Sequence, residues 1–163
     1  MLERQHRLWQ EAGIPVTKVG ISDPMGWYMP DQVERQVVAI KERWPAIKSF
    51  NLHLHNTRGM ALTSSYVCLK VLDATDTLRL QPAIGGMGGC PFCGNGRAAG
   101  LAPTEDLVHM LEGVGIKTGV DLYQLIECVW MAEESSAIRY GDMFPRVDRD
   151  RKARNSTRWI CLL

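Results

Sequence analysis

The chain has 163 residues and a formal net charge of +1, with 23% charged side chains. That length suits one domain with a real core, and the charge lacks the basic excess of a nucleic-acid or membrane-surface protein. No run approaches the roughly 20 apolar residues of a membrane span, and the first twenty residues carry no signal-peptide core. Five cysteines (Cys68, Cys90, Cys93, Cys128, Cys161), odd in number and without disulfide-framework spacing, are accordingly expected to be reduced in a cytoplasmic setting.

Residues 2–12 read as an amphipathic helix closed by Gly13 and Pro15. The β-branched run 16–22 is a strand stopped by Asp23-Pro24. Pro30 suits a first helical turn, and Val33, Val37, Val38, Ile40 and Trp44 recur at helical spacing up to Pro45. Residues 49–55 alternate apolar and polar side chains as a second strand, followed by a helix over 60–72. A third apolar segment, 78–84, is a weaker strand because it contains Pro82. Thr104 is the expected N-cap of the next helix, with Glu105 and Asp106 in a first turn whose dipole favours them. A last helix, 121–134, carries Leu122, Leu125, Ile126, Val129 and Trp130 on one face. Strands alternating with helices predict an α/β fold built of right-handed βαβ units around a parallel sheet. Three strands cannot close a barrel, so the chain reads as part of something larger. From Arg139 the composition turns basic and polar, and 139–163 is expected to be a disordered tail beyond a folded unit of 1–138.

Between the third strand and the helix at Thr104 lies Gly85-Gly-Met-Gly-Gly-Cys-Pro-Phe-Cys-Gly-Asn-Gly96. Glycine at that density allows positive φ and close approach to a ligand, at an entropic cost in folding, and suggests an active-site loop carrying a reactive thiol. His53 and His55, two residues apart on a strand, project from one face with imidazoles about 7 Å apart along the pleat. A pair of hydrogen-bonded histidines or two ligands of one cation fit that spacing equally. Their place at the carboxyl end of a parallel strand is where such sheets put ligands. Asp23 ends the preceding strand, at what looks like the equivalent position, and Arg58 follows closely enough to bind an anionic group. Cys90-Pro-Phe-Cys93 has the spacing of a redox dithiol, but Gly94-Asn-Gly96 breaks the helix such a motif needs. Pairing that dithiol with His53 and His55 would make a zinc/thiol binding module, although the spacing matches no common zinc module. Cys90 is expected to alkylate faster than Cys68 and Cys128, both read as buried.

The stretch Asn51-Leu-His-Leu-His-Asn-Thr-Arg-Gly-Met-Ala-Leu62 resembles the His-x-His-(Asp/Asn)-Thr-x-Gly-x-Ala-Leu strand of the hydroxymethylglutaryl-CoA lyase family. Gly86-Met-Gly-Gly-Cys-Pro-Phe92, with the segment from Thr104 to Leu122, is similar to that family's cysteine loop and following helix. Gly20-Ile-Ser-Asp-Pro-Met-Gly26 is similar to its Gly-Asp-Thr-x-Gly strand end. The resemblance covers about residues 1–134, in order. It implies the C-terminal half of a (β/α)8 TIM barrel, strands six to eight with their helices, and metal-assisted retro-Claisen cleavage of a 3-hydroxyacyl-CoA to acetyl-CoA and a keto acid. It implies a divalent cation, Mg²⁺ or Mn²⁺, held by His53 and His55. Cys90 would be the acid or base, Asp23 an active-site polar residue, and Arg58, Gln81, Gly88 and Gly89 substrate contacts. Three departures stand out. The family's metal-binding aspartate and catalytic arginine lie on a first strand not found here, Leu101 occupies the region of its asparagine ligand so that only a rearranged loop would bring Asn95 to the metal, and Gln81 replaces an aspartate. The chain alone is therefore expected to be inactive, and to self-associate as a homo-oligomer or join a missing barrel half. A non-catalytic partial barrel acting as an interaction subunit is the alternative.

Overall fold

The computed structural model describes residues 2–88 and 100–136. The elements are α1 (Leu2–Glu11), β1 (Lys18–Asp23), α2 (Pro30–Arg43), β2 (Ser49–Leu54), α3 (Ala61–Val71), β3 (Thr77–Leu80), α4 (Thr104–Gly113) and α5 (Leu122–Ser136), with a 3₁₀ turn at Ile84–Gly86. The strands form one parallel sheet in the order β1-β2-β3, with Ile21 beside Leu52 and Leu52 beside Leu80. This is the α/β architecture expected, a partial barrel. The expected tail, 139–163, lies outside the described residues.

Alternation decides which face of the sheet is buried. Ile21 on β1 and Phe50, Leu52 and Leu54 on β2 point to one side, where Val33, Val37 and Ile40 of α2 and Ala61 and Cys68 of α3 close over them. Each such side chain contributes about 1.5–3 kcal/mol when fully withdrawn from water, so a one-residue slip of β2 would forfeit the core. The opposite face carries Gly20 and Ser22, Asn51 and His53, and Thr77 and Arg79, all partly or fully exposed. A polar face left open by the described residues is unusual on a parallel sheet, since both faces are ordinarily buried. Here it is the face that presents His53.

Several boundaries differ from the sequence reading, for local reasons. β3 ends at Leu80 rather than 84, because the backbone turns at Gln81-Pro82 and then enters the 3₁₀ turn with Gly85 at φ 62°. Thr104 is the first residue of α4; Pro103 occupies the cap position and supplies no side-chain hydrogen bond. Glu105, read as a dipole partner, is fully buried, and its Oε2 accepts the Gly85 N–H at 3.0 Å. α1 buries no residue, and its described link to the body is the stack of His6 on Trp44 at 5.0 Å and the Arg43–Glu3 pair at 3.3 Å. α5 packs through Ile126 and Val129 as expected. No described helix is long and apolar enough to cross a membrane.

At the amino-terminal end of the sheet, the α3–β3 turn is held by charge. Lys41 Nζ donates to Asp76, to Asp73 Oδ2 at 3.0 Å and to the Val71 carbonyl at 3.2 Å, while Lys48 lies 3.6 Å from Asp76. Burial alone would raise the Asp76 carboxyl, but Lys41 and the Asp73 N–H outweigh it and hold it below its ordinary value. Hydrogen bonds from the Thr75 hydroxyl and amide, then Lys41, put Asp73 lower still, and the bond to Asp76 raises Lys41. Depressed carboxylates stabilise the fold above their unfolded pKa and lose that contribution as pH falls through the folded value. A raised lysine loses its share only as pH climbs through its own folded value. The network is therefore intact at neutral pH; its contribution begins to decline below about pH 4, the ordinary carboxylate value, and is lost as pH falls through the lower folded values. Asp76→Asn is expected to lower the urea midpoint at neutral pH and to shrink the further loss on acidification; an unchanged midpoint would remove the network from the stability of the fold.

Candidate functional site

The carboxyl ends of β1 and β2 and the segment after β3 are tied together by main-chain hydrogen bonds that continue past the strands. His55 N–H donates to the Asp23 carbonyl at 3.1 Å, Gln81 N–H to Leu52 at 3.0 Å and Ala102 N–H to Leu54 at 3.2 Å. Asn56 N–H donates to the Gly100 carbonyl at 2.9 Å, and His55 and Leu101 form an antiparallel bridge. Asn56 Oδ1 accepts the Ala61 N–H at 3.2 Å, which starts α3 directly behind the histidines.

His53 and His55 are brought together as predicted. Their ring centroids are 5.3 Å apart, edge to face, with His55 buried and His53 partly exposed. Gln81 Oε1 lies 2.9 Å from His53 Nδ1. With Nδ1 as the donor, that contact leaves Nε2 as the lone-pair nitrogen, the arrangement in which a second-shell partner orients a ligating imidazole. Two imidazoles with ring centroids this close are of the right type to serve one cation. Hard cations such as Mg²⁺ prefer oxygen, however, and among the described residues no cluster of three His, Cys, Asp or Glu side chains is placed to hold a metal. The pair therefore fits as part of a cation site.

Asp23 lies elsewhere than the sequence reading had it. It stands in register with Leu54, not His55, so its side chain belongs to the buried face, and Ser22 is the residue level with His53. Its carboxylate is engaged by its own loop: Trp27 N–H donates to Oδ1 at 3.0 Å and Tyr28 N–H to Oδ2 at 2.7 Å. Arg58 grips the same loop from outside, its Nη1 donating to the carbonyls of Met25 at 3.3 Å and Gly26 at 3.2 Å while its guanidinium lies 5.7 Å from the Trp27 ring centre. Ser22, Trp27 and Arg79 escaped the sequence reading. Strand alternation would have found the first and last, since each shares its face with His53.

Gly89, Cys90, Cys93 and Asn95 lie outside the described residues, but both ends of their loop are visible. A Cβ at Gly100 would lie 1.5 Å from the Gly86 carbonyl oxygen and 2.8 Å from that of Gly88. The outgoing and returning backbones thus touch at glycine, beside the Asn56–Gly100 hydrogen bond. Among the other thiols, Cys68 is buried, and burial followed by the Glu34 charge pushes it up to about 12. Cys128 is exposed rather than buried, because it sits on α5 away from Ile126 and Val129.

Comparison with known proteins adds the following. Residues 2–131 match the HMGL-like family. The chain is 38% identical over 106 residues to an (R)-citramalyl-CoA lyase of Chloroflexus aurantiacus, covering 65% of this chain and 31% of that protein. It is 35% identical over 119 residues to a hydroxymethylglutaryl-CoA lyase of Bacillus subtilis, covering 73% and 38%. The solved structure of a Bacillus subtilis HMG-CoA lyase superposes with a TM-score of 0.70 at 33% identity, over 90% of this chain and 46% of that one. An Acinetobacter baumannii HMG-CoA lyase, solved in complex with coenzyme A and 3-methylmalate, gives 0.65 at 30% identity, over 99% and 48%. The chain thus spans about a third of the curated relatives' length and just under half of the solved ones.

The β1–α2 loop allows a direct check on this geometry. Gly26 has φ +60°, and an added Cβ would lie 2.8 Å from the Thr57 side chain and 2.9 Å from the His55 carbonyl; Gly59 has φ +71° but open space around it. Gly59→Ala is expected to cost about 1 kcal/mol, from left-handed strain alone, and Gly26→Ala about 2–4 kcal/mol, because the loop must also leave Thr57. Equal losses in chemical denaturation would show that the two loops do not interlock.

Proposed function

Because the chain belongs to the HMGL-like family, we propose that it forms the C-terminal part of a lyase barrel, strands six to eight, that cleaves a 3-hydroxyacyl-CoA to acetyl-CoA and a keto acid. The observation that carries this reading is the His53–His55 pair at 5.3 Å, with Gln81 on the ring nitrogen of His53 and the neck of the cysteine loop hydrogen-bonded alongside. The relatives named as lyases of citramalyl-CoA and hydroxymethylglutaryl-CoA support an acyl-CoA substrate.

In this reading His53 and His55 supply two nitrogens to a divalent cation, Mg²⁺ or Mn²⁺. A cation bound there supplies Lewis-acid polarisation of the substrate's hydroxyl and carbonyl oxygens. The chain's own groups do the rest. Gln81 fixes the His53 ring, so that its free nitrogen faces one direction throughout turnover. Cys90, as base, takes the hydroxyl proton; the oxygen's electron pair closes to the keto carbonyl as the C–C bond breaks, and the acetyl-CoA enolate so released recovers that proton at carbon from the Cys90 thiol. Gly88 and Gly89, which precede that thiol in the sequence, are substrate contacts in this reading. Asp23 and Arg58 hold the β1–α2 loop between them; Asp23 acts as a positioning residue, and Arg58 also offers its charge to an anionic group of the substrate. Asn95 is a third ligand only if its loop folds back on the histidines.

Two measurements test this. Calorimetric titration of the chain should show Zn²⁺ or Ni²⁺ binding more tightly than Mg²⁺ or Mn²⁺, since imidazole favours the softer ions. Binding should be lost in His53→Ala/His55→Ala; undiminished affinity in the double variant excludes the histidines. In an active barrel carrying this sequence, Cys90→Ser should lower kcat by about 10²–10⁴-fold with little change in KM, as for the loss of a general acid. A variant with full kcat would take Cys90 out of the proton transfer.

A further inference from the structure

Trp27 is 57% exposed, although its main chain is pinned on three sides: by Asp23 at its own amide, by Arg58 at the two preceding carbonyls, and by the packing of Gly26 on Thr57. An aromatic ring this exposed, on a loop whose main chain is hydrogen-bonded at both ends, is a stacking surface open to a ligand. Arg58 has spent Nη1 on the Met25 and Gly26 carbonyls, and its Nε and Nη2 make no hydrogen bond among the described residues. Both residues sit on the loops that follow adjacent strands, at the end of the sheet that bears the histidines.

An indole face and a guanidinium in fixed contact recognise a planar ring joined to a phosphate, the first by stacking and the second by charge-assisted hydrogen bonds. We propose that Trp27 and Arg58 form a subsite on the carboxyl-end rim for the nucleotide end of an acyl-CoA, with the purine stacked on Trp27 and a phosphate against Arg58. The proposal rests on the acyl-CoA reading given above and adds where the far end of that substrate is held. One face of the indole is turned to Arg58 at 5.7 Å, and more than half of the residue's surface is exposed to receive a ring. The loop's rigidity matters, because a preorganised platform does not lose entropy when the ring arrives.

The test uses the ¹⁵N-labelled chain and four probes: adenosine 3′,5′-bisphosphate, adenosine, inorganic phosphate and pantetheine. The Trp27 indole resonance should shift with the two nucleosides and not with pantetheine, and the bisphosphate should bind more tightly than adenosine or phosphate. Trp27→Leu should weaken both nucleosides by about tenfold, the scale of one base–aromatic stack. Arg58→Lys should retain most of the phosphate-dependent gain, and Arg58→Met should abolish it; thermal melts of each variant exclude misfolding as the cause. A Trp27 resonance unmoved by the bisphosphate, or affinities the same in all variants, overturns the subsite and leaves Trp27–Arg58 as an internal brace. Histidine-dependent cation binding without a nucleotide response sinks the subsite alone. Nucleotide binding without histidine-dependent cation binding sinks the catalytic reading instead.

Discussion

The structure depends on the backbone of residues 52–56. As the middle strand, β2 is paired on both sides, and where the regular ladder stops its main chain keeps finding partners in three other segments. Asp23 accepts from His55, Gln81 donates to Leu52, and the segment 100–102 pairs with Leu54 and Asn56. A strand end would ordinarily leave those groups to water. Here they fix the position of everything that surrounds the histidines, and α3 begins from the Asn56 side chain. The site is thus a continuation of the sheet, and side chains anchored this way need little further support to stay put.

The sheet also explains the division of labour between its faces. The apolar side is buried under α2 and α3 and fixes the register, so it tolerates little change in parity. Among the described residues, Ser22, Asn51, His53 and Arg79 on the polar side are not buried, which leaves them free of the volume constraints of a core. The polar side chains and the core fall on opposite sides of the same strands, and the ion network at Lys41 and Asp76 holds the far end, away from the histidines.

Much of the architecture was readable in the sequence because it rests on local periodicity. The apolar spacing of Val33, Val37 and Ile40 and the alternation through Phe50, Leu52 and Leu54 each specify one element and one buried face. His53 and His55 were legible for the same reason, since strand geometry alone puts them side by side. Asp23 was not: whether a strand-end residue looks into the site or back toward its own loop is decided by register with the neighbouring strand, a non-local property. Glu105 shows the same limit. A carboxylate in the first turn of a helix looks like a surface residue until the fold brings the Gly85 amide to it. The end of β3 was misjudged because apolar residues continue past Pro82 into a segment that pairs with 102–104 instead of with β2.

The contact of Gly86 and Gly88 with Gly100 bears on how such a protein can change over time. The residues that flank 89–99 meet at one point, so the sequence between them can lengthen, shorten or be replaced while the strands on either side keep their spacing. That sequence and the framework can then vary almost independently. The exception is the glycine crossing itself: a side chain at Gly100 would push the two backbones apart, and they would no longer start from one place.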